Sequence, residues 1–133
     1  MMTTGCSSLS TCVQSISFCK ARELICFSKC GKVNQVCGGG PVEYYNNFNT
    51  ALVPNGFVTI NNEDNEKKCI MRVTVTDATG NHIFDVAGGQ TYTLAVAGFG
   101  KLSITCIQGE FTSQRCVGEW AFEGYYEALP VAY

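Results

Sequence analysis

The chain reads as an all-β protein: an antiparallel β-sandwich or jelly roll preceded by an extended, cysteine-rich N-terminal arm. Three observations predict this. Beyond Pro41, apolar and polar residues alternate with period two through several short runs. Those runs recur at roughly 8–12 residue spacing and are parted by glycine-bearing turns. Nine cysteines are unevenly spread, with six of them in the first 37 residues.

Taken in order, the N-terminal segment is ambiguous. At 100° per residue, Cys12, Cys19, Cys26, Cys30 and Cys37 fall within roughly 40° of one another on a helical wheel. Gly31 interrupts that stripe, and Ser15, Ser17, Ile25 and Phe27 are middling helix formers with no clear start or stop signal. An extended arm is therefore expected, with a helix over 20–30 as the alternative. Gly38-Gly39-Gly40-Pro41 cannot continue a helix or a central strand and reads as a hinge. The expected division is a connector at 1–37, a hinge at 38–41 and a core at 42–133, with nearly everything the sandwich needs lying beyond the hinge. Within the core, Pro54-Asn55-Gly56 turns into the strand Phe57–Ile60. Cys69, Met71, Val73 and Val75 then share one face of a strand, and Asp77–Asn81 turns the chain into His82–Val86. Tyr92, Leu94 and Val96 form the next apolar face. Leu102, Ile104 and Cys106 follow on another, and a closing strand from about Val117 to Leu129 carries Trp120 and Phe122 on one side. By this alternation Cys69 and Cys106 belong to the buried core.

Composition removes several functions. Net charge is −2 over 133 residues, which argues against nucleic acid or an anionic membrane surface as partner. No run approaches the ~18–20 apolar residues of a membrane-spanning helix, and MMTTGCSSLSTC lacks the features of a secretory signal. Charged residues are 15%, against about a quarter in typical soluble domains.

Active-site chemistry fares poorly. His82 is the single histidine and sits beside a turn, so a cysteine–histidine nucleophile is not expected. Cys26-x3-Cys30 with Cys37 nearby has tolerable zinc spacing, but the usual two CxxC-like pairs ~12–20 residues apart are missing, so disulfide chemistry is favoured and no metal or cofactor is expected. Glu63, Asp64 and Glu66 fall in the polar run Asn61–Lys68, which reads as a solvated turn. Tyr44, Tyr45, Tyr125 and Tyr126 offer a sugar-binding platform, although tyrosine on half-buried strands more often packs. The chain is expected not to be an enzyme.

A structural role remains. An odd number of cysteines leaves at least one thiol for a partner outside the chain. An extended arm of 37 residues reaches ~120 Å, far beyond the ~12 Å radius of gyration of a 93-residue core. Such an arm spans neighbouring subunits, and open sheet edges accept strands from other copies. The competing class is a monomeric disulfide-rich module that binds a carbohydrate or receptor.

Several segments resemble one known family. Val33-Asn34-Gln35-Val36-Cys37, Tyr44-Tyr45-Asn46-Asn47, Gly56-Phe57-Val58, Gly88-Gly89-Gln90-Thr91-Tyr92-Thr93-Leu94-Ala95-Val96, Gly118-Glu119-Trp120-Ala121-Phe122 and Tyr125-Tyr126-Glu127-Ala128-Leu129 are similar to the endospore appendage (Ena) fibre subunits of spore-forming bacteria. The resemblance implies a jelly-roll subunit that polymerises with copies of itself by sheet augmentation and connector docking through disulfides. It places the fibre on the outer surface of the spore, with a spore-surface anchoring protein as a further partner. It makes Cys6, Cys12 and Cys19 connector cysteines and Cys37 a receiving cysteine. The family's other receiving cysteine lies in the last strand, where this chain has Ala121, leaving Cys106 or Cys116 to substitute.

Overall fold

A computed structural model of the protein describes residues 24–47, 53–63, 69–108 and 115–127. They form eight strands in two antiparallel sheets. In spatial order, sheet one holds β1 (Leu24–Val36), β8 (Arg115–Glu127), β3 (Asn55–Asn62) and β6 (Thr91–Ala97). Sheet two holds β2 (Pro41–Asn46), β7 (Lys101–Gln108), β4 (Cys69–Asp77) and β5 (Gly80–Ala87). The hairpin β4–β5 is the one place where successive described strands pair; every other step crosses between the sheets. That interleaving of an eight-stranded double sheet is a jelly roll.

Period-two patterning explains the strands directly. Met71, Val73 and Val75 on β4 are fully buried, while Arg72 between them is exposed. Leu102, Ile104 and Cys106 on β7 repeat the pattern. They face Val58 and Ile60 on β3 and Trp120 and Phe122 on β8, so the inner faces of both sheets share one apolar layer. Each such side chain contributes about 1.5–3 kcal/mol when removed from water. One end of the sandwich is closed by aromatic rings: Phe99 stacks on Tyr45 at 4.4 Å and on Phe122 at 4.7 Å.

The N-terminal segment departs from expectation. Residues 24–36 are neither arm nor helix but β1, paired with β8 from Leu24↔Glu127 to Val36↔Arg115. β8 would otherwise be an edge strand with unpaired backbone groups, and β1 satisfies them along its whole length. Phe27, Gly31, Val33 and Gln35 face inward, with Val33 fully buried. The boundary expected at residue 37 thus falls inside the sandwich. Gly38–Gly40 are not a hinge between units but the tight turn that carries the chain from β1 to β2. Gly38 and Gly40 take φ of 86° and 87°, and the Gly38 N–H donates to the Cys106 carbonyl at 3.1 Å. Gly31, which breaks the helical stripe, makes room instead: a Cβ there would lie 2.7 Å from Trp120 Nε1.

The turn after β4 is held by one carboxylate. Asp77 accepts from the Thr79 N–H at 2.9 Å, Thr79 Oγ1 at 2.6 Å, His82 Nε2 at 3.0 Å and the Ala97 N–H at 3.1 Å. The last of these reaches β6, so the hairpin of sheet two is tied to sheet one. Burial pushes the Asp77 carboxyl up, but the donors from Thr79, Ala97 and His82 outweigh it and hold the group well below the ordinary carboxylate range.

Three outcomes follow from this architecture. A chain shortened to begin at Gly38 removes β1, exposes the β8 edge and uncovers Trp120. It is expected to aggregate or melt without cooperativity by far-ultraviolet circular dichroism, whereas a chain beginning near residue 20 melts cooperatively. Replacing Gly31 with valine forces a side chain into the Trp120 ring and should lower stability by about 1–3 kcal/mol, read as a reduced urea midpoint. Because the folded Asp77 pKa lies below its unfolded value, its stabilisation is present above the unfolded pKa and is lost as pH falls through the folded one. The urea midpoints of the parent and Asp77→Asn should therefore differ most at neutral pH and converge progressively below about pH 4.

Candidate functional site

The end of the sandwich opposite the aromatic rings is built from sulfur. Cys37 follows β1, Cys69 opens β4, Cys106 lies near the end of β7 and Cys116 is the second residue of β8. All four are buried, from 0% exposure for Cys69 and Cys116 to 4% for Cys37. Strand alternation aims them inward, and the strand ends bring them to one layer. They form two disulfides, Cys37–Cys106 and Cys69–Cys116, with Cα separations of 4.3 and 5.6 Å. Each bond joins sheet one to sheet two. The pairs also touch each other, with Sγ atoms 3.9 Å apart for Cys37 and Cys116 and for Cys69 and Cys106.

Two buried amides complete this end. Asn62 Nδ2 donates to the carbonyls of Cys69 and Val86, both at 3.0 Å, linking β3 to β4 and β5. Gln35 Nε2 donates to the Ile104 carbonyl at 2.9 Å, and Gln35 Oε1 accepts from the Tyr44 hydroxyl. Tyr44 is the extra residue of a β-bulge between Glu43 and Tyr45, which re-aims its side chain toward β1. Burial pushes the Tyr44 phenol up, with a smaller opposing contribution from a backbone hydrogen bond at Asn34, so the hydroxyl remains a donor. Neither amide stood out in the sequence. Asn62 sits in what reads as a polar loop, and only recognition that β3 extends through it would have placed it inside.

The expected site residues separate sharply. Cys69 and Cys106 are buried in the core end. Cys37, Cys106 and Cys116, anticipated as partners for other subunits, are instead bonded within this chain, because the parity of their strands turns all three inward. Cys6, Cys12 and Cys19 lie outside the described residues, as do Asp64 and Glu66.

Sequence reasoning passed over the opposite face. Cys26 and Cys30 occupy even positions of β1 and therefore point to the outer surface of sheet one; both are disulfide-bonded. Cys30 lies directly across from Ala121, and Cys26 from Tyr125. The same outer face carries the exposed apolar side chains Val36, Phe57, Val117 and Tyr125. It also carries the Lys32–Glu119 ion pair at 2.8 Å. The Phe27, Val33, Gln35 and Cys37 alternation was the available signal for that orientation.

The other candidates resolve into structure. His82 bonds Asp77 and Thr79 in the hairpin turn. Tyr45 is held between Phe99, Phe27 and Trp120, and Tyr44 is committed to Gln35, so they form no exposed platform with Tyr125. The side chain of Tyr126 lies outside the described residues.

Comparison with known proteins agrees with this arrangement. No curated protein matches the chain. The fold is similar to a solved chain from Bacillus endospore appendages, described as a novel family of disulfide-linked pili. That similarity has a TM-score of 0.54 at 13% sequence identity, covering 78% of this chain and 89% of the other. The family model for endospore appendages matches residues 10–128. With the match covering most of its length, the chain belongs to the endospore appendage family.

Proposed function

We propose that the protein is the structural subunit of a disulfide-linked, pilus-like fibre on the spore surface, built from copies of itself. One observation carries the reading. Six of the nine cysteines lie among the described residues and all six are disulfide-bonded, Cys37 to Cys106 and Cys69 to Cys116, with Cys26 and Cys30 bonded as well. Nine is odd, so at least one cysteine cannot be paired inside the chain. The connector of one copy supplies a thiol from among Cys6, Cys12 and Cys19 to the outer surface of another. Such a contact joins non-equivalent surfaces and propagates along a fibre or a stack of rings rather than stopping at a dimer.

Other features support the same role. Edge strands β1 and β6 of sheet one, and β2 and β5 of sheet two, offer backbone groups for sideways addition of further copies. Low charge and an apolar outer face suit a surface that associates. A spore-surface protein that anchors the fibre base is the remaining proposed partner.

Non-reducing denaturing gels and negative-stain imaging of the oxidised full chain test this. Ladders or material too large to enter the gel, together with ordered filaments or stacked rings, are expected. Replacing Cys6, Cys12 and Cys19 with serine should abolish the ladder yet leave the β-type spectrum unchanged. A sharp monomer from oxidised protein at high concentration would overturn the proposal and favour a stapled binding module.

A further inference from the structure

We infer that the buried cluster of Cys37, Cys69, Cys106 and Cys116 is, in the reduced chain, a tetrahedral zinc site. This site stands independently of whether the chain polymerises. Its four sulfur atoms all lie within 4.8 Å of one another. A four-thiolate zinc centre with bonds of ~2.3 Å places its sulfurs ~3.8 Å apart on every edge of the tetrahedron. The two contacts between the disulfides already have that length, at 3.9 Å each. Reduction leaves the two bonded pairs to widen by roughly 2 Å, a movement within reach of cysteine side-chain rotation.

The surroundings favour the metal. Every ligand comes from a different strand or its end, so the backbone holds the four positions without help from a flexible loop. Exposure of 4% or less keeps competing water away and closes the coordination shell, as in structural rather than catalytic sites. Asn62 Nδ2 lies 3.8 Å from Cys69 Sγ, directing an N–H toward a sulfur that would carry negative charge. Four thiols without a metal would be buried in a layer with little polar compensation. Zinc replaces four protons and joins the two sheets through the same residues as the disulfides. Tetrahedral four-sulfur geometry also fits zinc better than oxygen-seeking calcium or magnesium.

The two states exchange by a balanced reaction with a peroxide as oxidant. One four-thiolate zinc centre of charge −2, two hydrogen peroxide molecules and four protons give two disulfides, one zinc ion and four waters. The sulfurs lose four electrons in all, and the peroxide oxygens accept them. The inter-sheet staple is thus maintained under both reducing and oxidising conditions, first by metal and then by covalent bonds.

The test uses the full chain with Cys6, Cys12, Cys19, Cys26 and Cys30 replaced by serine, reduced with a phosphine without oxygen and titrated with cobalt(II) alone, then zinc(II) alone. One cobalt per chain is expected, with the visible bands and sulfur-to-metal charge transfer of a four-thiolate tetrahedron. One equivalent of zinc should displace it and raise the melting temperature. Adding Cys69→Ser or Cys116→Ser should weaken zinc binding at least tenfold and remove the four-thiolate spectrum. If the reduced, metal-free chain is unfolded, one equivalent of zinc must restore its β-type circular dichroism. No four-thiolate spectrum, a stoichiometry other than one, or metal binding indifferent to Cys69→Ser would overturn the site. Peroxide should then release one zinc per chain as two disulfides form; zinc retained after the thiols are consumed would overturn the exchange.

Discussion

The fold depends on what crosses between its two sheets at the sulfur end. A jelly roll of this size has one apolar layer, and sheets held only by that layer slide and splay at their ends. Here Cys37–Cys106 and Cys69–Cys116 close loops spanning 69 and 47 residues, and each bond runs from one sheet to the other. In the chain-entropy picture loops of that length are worth about 4 kcal/mol each, less where they overlap as these do. Asn62 and Gln35 add inter-sheet hydrogen bonds beside them, their amide N–H groups donating to backbone carbonyls on the opposite sheet. At the other end, stacking of Tyr45, Phe99 and Phe122 and the Asp77 turn perform the same task without covalent bonds.

This division explains why β1 belongs to the domain. Cys37 is the last residue before the Gly38–Gly40 turn, and its bond to Cys106 fixes the end of β1 over β7. Once that end is fixed, the preceding residues run back along β8 in register as far as Leu24. Removing β1 would open the staple, strip the cover from Trp120 and expose a long sheet edge together. The cysteine-dense segment of the sequence thus contributes a core strand to the domain.

Where apolar and polar residues alternate strictly, the sequence was a good guide. Cys69 to Val75 and Leu102 to Cys106 have the orientation their alternation implies, and the turn at Asp77–Asn81 falls where its residues place it. β1 was obscured for a physical reason. Its outward positions hold cysteine, serine and lysine, its inward ones include glycine and glutamine, and its cysteine spacing fits a helical period as well as a strand's. Local pattern could not decide, and pairing with β8, some 90 residues away, did. The candidate site was illegible for the same reason: strand parity sorts the cysteines into inward and outward sets only once the strand is known.

Parity has a chemical consequence. Thiol–disulfide exchange requires a thiolate to approach one sulfur along the bond, so access governs which bonds respond. Cys69 and Cys116 are fully buried and Cys37 and Cys106 nearly so, shielded by the Met71, Ile104 and Val86 layer. Cys26 and Cys30, one residue out of phase on β1, stand on the opposite surface of sheet one among groups that solvent reaches. A single-residue change in phase therefore separates the cysteines buried between the sheets from those on the outer face of sheet one. The two sets therefore differ in access to reductant: the outward bonds stand where a thiolate can approach, and the inward ones are screened by the core. Alternation along one edge strand is enough to supply that difference.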